Sequence, residues 1–553
     1  MYRDDLKARE LVPLGGTFSL RVPVAVTVVL IFALAAAVSS WYGLGGGLSR
    51  DGAIYLYSGQ RMAEGVPPYV SVFDHKGPLA PMLAGAGVML SKLLDSNDIM
   101  TVRVIFYLMG CLAVVSAYLL GSSLFKSQRA GVFAALTFLA FFCFARYATA
   151  EPEAKTPMLM FEVLALLFTS QKRWFWAGLC GSLAFLVWQP MVVFPLVTLF
   201  LAATQPGGPR SSALSRAISG AGLPVALTVA YFYIEGALYE LINGSILFNL
   251  RYLDQEKVSS VAPRLIAPVR ALFLGYTTIA IPVVICAMLA AVVIGSVTLG
   301  RLYFPKGPAH VSLGKVAARE TFAPILLSLP FPVVWSMMDF QGYPDFFVFI
   351  PYVAVGFGGF LYFVTERIET ADGAGSGGVR NAFVPITFAL LTAIAVISSM
   401  ITIHLRTEIS SLDTAGRGPR PGDFTYQKRA AAEIRESFGE DARVVSIGVP
   451  QVLVLLHDTN PNPYAFVIRG IDREIAYQTP GGFHGWLREL GAYDPDMIAF
   501  GPTSGHYKPK LMDWLTSHYQ RQQIGPWIVF VKEGYPTQAR IQLQHPPRRA
   551  ANI

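Results

Sequence analysis

Residues 49–81 read SRDGAIYLYSGQRMAEGVPPYVSVFDHKGPLAP, with two aspartates, a histidine, a lysine and four prolines just beyond an apolar run at 22–43. So much polar and turn-forming chemistry at the mouth of a hydrophobic segment fits a helix that ends at a membrane surface. Composition supports that setting: 53% of the 553 residues are hydrophobic, 14% are charged, and the mean hydropathy is +0.47. A spanning helix needs roughly 20 mostly apolar residues, and the chain supplies many such runs between short polar breaks, as an integral membrane protein would. The first run is too long for a signal peptide and reads as a retained anchor. Cys111, Cys143, Cys180 and Cys286 all lie inside apolar runs, which gives neither metal-ligand spacing nor a disulfide framework.

Outward from that stretch, spans are expected near 22–43, 99–125, 130–148, 156–170, 174–188, 190–203, 217–238, 271–300, 320–337, 346–364 and 381–403, a polytopic α-helical protein of about eleven transmembrane helices. With 1–21 as a cytoplasmic N-terminal segment, the inside-facing segments hold 16 Lys and Arg and the longer outside-facing ones hold 9. This asymmetry puts the N-terminus in the cytoplasm and the loop 44–98 on the exoplasmic face. A pI of 9.2 and the lack of exposed cysteine suit a bacterial plasma membrane and are compatible with the endoplasmic reticulum.

Beyond 22–403 the composition changes at a Gly/Pro/Ser-containing linker, 404–423, and a soluble domain is expected over 424–553. Strand-like runs at 443–449, 464–468, 496–500 and 526–531 alternate with helical patterns at 425–437, 450–457, 483–490 and 508–520, which predicts a small α/β domain. An odd number of spans places it outside, on the side of the opening stretch. It contains no GxxxxGK[ST], no HExxH and no dinucleotide fingerprint, and no nucleic-acid partner is expected.

Within the opening stretch, DGAIYLYSGQRMAEG has the spacing of a short helix lying along the membrane surface, and APMLAGAGVMLSKLL reads as a second interfacial or re-entrant helix. The loop between them, GVPPYVSVFDHKGPL, is rigid and turn-rich. One reading is a solvated connection directed by its prolines. The other is chemical: a carboxylate beside a lysine at the membrane surface is the pair that sugar transfer from a lipid phosphate needs, one group to take a hydroxyl proton and one to stabilise the departing phosphate.

The segment RDGAIYLYSGQRMAEGVPPYVSVFDHKGPL resembles the first exoplasmic loop of the GT-C superfamily, the polyprenyl-phosphate-sugar-dependent membrane glycosyltransferases that include protein O-mannosyltransferases and the aminoarabinose transferases of lipid A. There an Asp shortly after the first span, a G-x-PY turn and a [D/E]-K-P-P-L-like segment recur together. GYPDFFVFIPYVAVGFG at 342–358 is similar to the entry of a late span in that family. The resemblance covers roughly 22–403. It implies an inverting hexosyl- or pentosyltransferase that moves a monosaccharide from a polyprenyl-phosphate donor to an envelope glycan, lipid or protein hydroxyl on the exoplasmic face. It also implies Asp51 as the catalytic base and Lys76 as the lysine that meets the donor phosphate. His75 stands where relatives often carry an acidic residue, which leaves any divalent metal at this loop open, and Gly77 replaces the first of the paired prolines. The second loop, RYATAEPEAKTP at 146–157, resembles the place of another acidic residue, so Glu151 or Glu153 is implied to position the acceptor.

Several residues keep two readings. Asp74 is a rival base, His75 can simply hydrogen-bond its loop, and Glu153 can cap a helix. Glu162 lies within an apolar helix, where a charge costs on the order of 3 kcal/mol, so it faces the polar end of a cavity or makes a buried hydrogen bond. Arg251, Lys257, Arg264 and Arg270 form a basic interfacial strip that can lie on anionic headgroups or, at Arg270, receive lipid phosphate. Two other functions stay open: a lipid or glycolipid transporter or flippase, which would favour internal repeats that this sequence lacks, and a non-catalytic glycan-binding scaffold.

Overall fold

The computed structural model describes residues 23–41, 44–141, 143–145, 152–205, 210–255, 261–276, 320–338, 340, 343–372 and 424–533. The expected N-terminal segment 1–21, the span 381–403, most of the span 271–300, the linker 404–423 and Glu151 lie outside them.

The membrane part begins with α1 (Val24–Trp41), then α2 (Arg50–Met62), α3 (Leu79–Leu93), α4 (Asp98–Phe125) and α5 (Gln128–Leu139). It continues with α6 (Lys155–Ser170), α7 (Trp174–Val187), α8 (Val193–Thr204), α9 (Arg210–Ile234), α10 (Leu238–Ile242), α11 (Phe248–Gln255) and α12 (Val261–Tyr276). It closes with α13 (Ala323–Ser328), α14 (Pro330–Met338) and α15 (Ile350–Asp372). Among the described residues, three helical stretches are long and apolar enough to cross a membrane: Asp98–Phe125, Arg210–Ile234 and Pro344–Tyr362. Local signals fix the ends. The Asn97 side chain accepts from Met100 N at 3.0 Å to start α4, and Lys126 turns left-handed at φ 57° to stop it.

Two expected spans differ. The one drawn over 130–148 stops at Leu139, where Phe138, Phe141 and Phe144 turn inward and Phe141 stacks on Phe346 at 5.2 Å. Helix α12 starts ten residues before the expected 271, because the amphipathic run VAPRLIAPVRALFLGY continues the end of the basic interfacial strip into the apolar segment as one helix.

Helix α2 forms where expected. Ser49 caps it by accepting from Gly52 N at 3.0 Å, and Asp51 in the first turn suits the positive end of the helix. It does not lie open on a surface, however. Gly52 to Gln60 are all buried, because α2 is wedged between α3 and the C-terminal part.

That part carries α16 (Phe424–Phe438), β1 (Val444–Ile447), α17 (Gln451–Leu456), α18 (Ile471–Gln478), α19 (Gly482–Tyr493), β2 (Met497–Phe500), α20 (Lys508–His518), β3 (Tyr519–Ile524) and β4 (Trp527–Lys532). The sheet order is β1-β2-β4-β3, with β1 and β2 parallel and the other neighbours antiparallel. Three expected strands form. The fourth, at 464–468, is buried but irregular: Ala465 O accepts from Gly448 N and Val467 O from Ser504 N, so its backbone groups are satisfied singly rather than by a ladder. Strand β3, YQRQQI, was missed because only Tyr519 and Ile524 are buried and its polar interior gives little strand signal.

Specific bonds clamp this part onto the first loop. Gln427 both accepts from Leu48 N at 2.7 Å and donates to Leu48 O at 3.1 Å. Gln60 donates to Val454 O, Asn460 N to Tyr57 OH, and Phe73 N to Pro463 O. Arg103, fully buried on α4, donates to the carbonyls of Leu44 and Gly46 and lies 4.6 Å from the Phe424 ring centre, which gives a costly charge its partners.

Candidate active site

Helix α2 places Asp51 and Tyr55 one turn apart on one face, and the proline-rich loop delivers Lys76 to them. Lys76 Nζ lies 3.7 Å from Asp51 Oδ2 and donates to Tyr55 OH at 3.0 Å, while Arg50 Nε lies 3.4 Å from Asp51 Oδ1. The loop is held rigidly. Tyr69 OH donates to Lys76 O at 2.6 Å, and the His75 carbonyl accepts from both Gln189 and Asn249. Gly77 N donates to Val187 O at 3.1 Å, and a Cβ at Gly77 would sit 2.0 Å from Leu186 O. Proline could neither donate that bond nor fit that space, which accounts for glycine where the family pattern has proline.

The electrostatics follow from this geometry. Burial pushes the Asp51 carboxyl up, but the Lys76 ammonium and the Arg50 guanidinium outweigh it and hold Asp51 below its ordinary value. Burial works against the Lys76 ammonium, yet Tyr55, Asp51 and Glu153 around it hold it well above the ordinary lysine value. Glu153 is raised by burial, against the pull of Lys76. The result is a lasting carboxylate beside a lasting ammonium, with a second carboxyl, that of Glu153, that protonates more readily.

Two cavities meet here. The larger, about 780 Å³, is lined by Lys76, Lys155, Trp188, Asn249, Trp335 and Asp345 among others. The smaller, about 360 Å³, runs from Ser49 and Arg50 to Gly448, Val449, Gln451 and Pro502 of the C-terminal part. Asp51, Glu153 and Pro344 line both. Such an arrangement can hold an anion in the larger cavity and take a proton at the wall between the two.

Residues 75–244 match the sequence model of the family described as dolichyl-phosphate-mannose-protein mannosyltransferase, a stretch that carries Lys76, Glu153 and Lys155. A comparison with curated proteins gives no match. Among solved structures, that of ArnT from Cupriavidus metallidurans bound to undecaprenyl phosphate is similar over 92% of this chain and 98% of its own, with 15% identity and a TM-score of 0.54. The apo state of the same protein gives a TM-score of 0.52 over the same coverage, also at 15% identity. The chain has the GT-C fold.

Within the GT-C fold, the residues singled out in the sequence separate into three groups. Asp51, Lys76 and Glu153 converge, and His75 lines the larger cavity beside them. Asp74 is buried and turned to its own loop, where Oδ1 accepts from His75 N at 2.7 Å and from Lys76 N at 3.3 Å. Arg270 is exposed on α12 and lines neither cavity. Arg251 instead pairs with Glu474 of the C-terminal part at 2.7 Å. Glu162 is fully buried, and among the described residues neither of its carboxylate oxygens has a hydrogen-bond partner, so the expected buried hydrogen bond is not formed. No group of three or more His, Cys, Asp or Glu among the described residues is placed to hold a metal ion.

Sequence reasoning passed over Lys155 and Asp345, which form an ion pair at 3.2 Å in the larger cavity. Lys155 Nζ lies 2.9 Å from the centre of the Trp188 ring and 5.7 Å from that of Trp335. Both residues stood in quoted segments, RYATAEPEAKTP and GYPDFFVFIPYVAVGFG. A lysine at the head of an apolar helix and an aspartate at the mouth of another were the available signal.

Proposed function

We propose that this protein is an inverting glycosyltransferase that moves one monosaccharide from a polyprenyl-phosphate donor to a hydroxyl of a cell-envelope acceptor, on the exoplasmic face of a plasma membrane. The observation that carries the reading is the Asp51–Lys76 pair at the wall shared by the two cavities. In the step, the acceptor oxygen attacks the anomeric carbon and its proton passes to an Asp51 carboxylate oxygen. The bond from that carbon to the phosphate oxygen breaks, the electron pair leaves with the phosphate, and the Lys76 ammonium stabilises the charge that develops there. Attack from the face opposite the leaving group inverts the anomeric centre. Tyr55 holds the ammonium in place, and the apolar and aromatic walls of the larger cavity keep water from competing.

The test is purified protein in nanodiscs with a synthetic polyprenyl phosphosugar. Asp51→Asn keeps size and most hydrogen bonding but removes the basic oxygen, so turnover should fall about 100-fold or more with donor binding and melting temperature retained. Asp74→Asn should lower stability, since it weakens the acceptor for two loop N–H groups, and leave the folded fraction active. The reverse pattern would make Asp74 the base.

A further inference from the structure

The geometry points to the smaller cavity as the acceptor subsite, roofed by the C-terminal part and shaped for an uncharged glycan hydroxyl; the inference rests on the reading of Asp51 as the base. Displacement at a sugar carbon needs nucleophile and leaving group on opposite sides of that carbon. Both lysines lie in the larger cavity, where a phosphate would be held, and Asp51 lies on the wall shared with the smaller one. A hydroxyl that gives its proton to Asp51 from the side away from Lys76 must therefore come through the smaller cavity.

The far wall of that cavity is built by the sheet. Strands β1 and β2 are parallel neighbours paired up to Ile447 and Phe500, and the turns that follow them reach the cavity at Gly448, Val449 and Pro502. The carboxyl ends of adjacent parallel strands are where open α/β sheets take ligands. Two glycines allow the turns to approach. Gly448 has φ +91°, and a Cβ at Gly501 would lie 2.5 Å from Gly448 O. Beside them Gln451, 8% exposed, donates Nε2 to Leu48 O at 3.2 Å, while its Oε1 is buried and has no hydrogen-bond partner among the described residues. The acceptors at hand are the Asp51 and Glu153 carboxyls and the Gln451 carbonyl, and the one cation in the lining among the described residues, Arg50, is engaged by Asp51 at 3.4 Å. These acceptors suit a partner rich in hydroxyl donors. The C-terminal part thus forms one side of the acceptor subsite.

Pro502 is exposed, so a bulky side chain there enters the cavity with little cost to the core. The full-length protein in nanodiscs is given a short-chain polyprenyl phosphosugar with octyl glycosides of glucose, mannose and arabinose as acceptor. Pro502→Trp is expected to cut transfer to the preferred glycoside at least tenfold while the KM for the polyprenyl phosphosugar stays within twofold. A donor KM that changes as much as transfer does, unchanged transfer, or preference for a serine or threonine peptide over every glycoside would overturn the inference. A second measurement does not require turnover. In Pro502→Cys, a water-soluble maleimide should label the new thiol and the preferred glycoside should slow labelling at least fivefold; among the described residues the native cysteines are buried. Protection without donor turnover in wild type would overturn the transferase reading and keep the subsite. Turnover without protection would overturn the subsite alone.

Discussion

The larger cavity holds two lysine–aspartate pairs, and they are built differently. Lys76 and Asp51 are 3.7 Å apart, the aspartate side chain is 44% exposed, and a tyrosine hydroxyl completes the ammonium's partners. Lys155 and Asp345 are 3.2 Å apart, the lysine side chain is only 4% exposed, and it is covered by indole rings. The first pair keeps an open carboxylate at the wall between two cavities. The second joins the head of α6 to the 3₁₀ turn Tyr343–Phe349 that leads into α15, so it fixes two loops relative to each other. Two pairs of the same composition are thus separated by exposure rather than distance: one presents its carboxylate to the cavities and the other braces two loops.

The comparison can be broken from either side, and the structural pair should give the largest effect. Lys155→Met breaks the ion pair with Asp345, and breaking a buried pair costs about 3–5 kcal/mol, so the melting temperature should drop sharply. A Lys155→Met protein with wild-type melting behaviour would remove the distinction. Lys76→Ala should instead act on donor use: losing one charge-assisted contact to a phosphate, roughly 1.5–3 kcal/mol, lowers kcat/KM for the donor about ten- to hundredfold with the fold retained. Unchanged donor kinetics in a folded variant would take Lys76 out of the site.

Smaller effects sharpen the electrostatic side. As the pH falls, Glu153 should protonate first, above its ordinary 4.5, and Asp51 last, below its ordinary 3.8. The rate should therefore show an acid limb set by Glu153, and Glu153→Gln should move that limb down towards the Asp51 value; an unmoved limb would deny Glu153 any part in positioning. For stability the two carboxyls act in opposite directions, since Glu153 is raised in the folded chain and favours it more as the pH falls. Because Asp51 is depressed in the folded chain, its contribution is complete above pH 3.8 and is lost as the pH falls through the depressed value. Glu162→Leu should have the least effect on catalysis, within twofold, while raising the melting temperature, since it removes a buried carboxyl without hydrogen-bond partners at a saving of about 1–3 kcal/mol. A loss of activity there would place Glu162 in the cavity's machinery.

The helices were legible because lipid demands long apolar runs and polar breaks stand out against them. Asp51 and Lys76 could be singled out as candidates because the continuous polar stretch next to the first span resembles the first exoplasmic loop of the GT-C superfamily. Glu153 was visible as one of two acids in the second loop, but its distance from Lys76 was not. Arg270 was the arginine of the basic strip expected to receive lipid phosphate, yet it is exposed on α12 and lines neither cavity, while Arg251 is tied to Glu474. Strand β3 and the irregular segment 464–468 were misread for opposite reasons. The first is a half-exposed strand with a polar interior, and the second is an apolar run whose backbone bonds are satisfied one at a time.

By itself, the sequence determined that the chain enters a membrane, that polar chemistry gathers at one loop after the first span, and that a mixed α/β region follows the last. These features depend on composition and periodicity over short stretches, which the chain carries locally. Only the tertiary structure decided which lysine meets which aspartate, that α2 is covered rather than laid on a surface, and that the turns after β1 and β2 reach Asp51. Those contacts join residues some 25 to 450 positions apart, and close approach across such separations is set by packing, which no local pattern records.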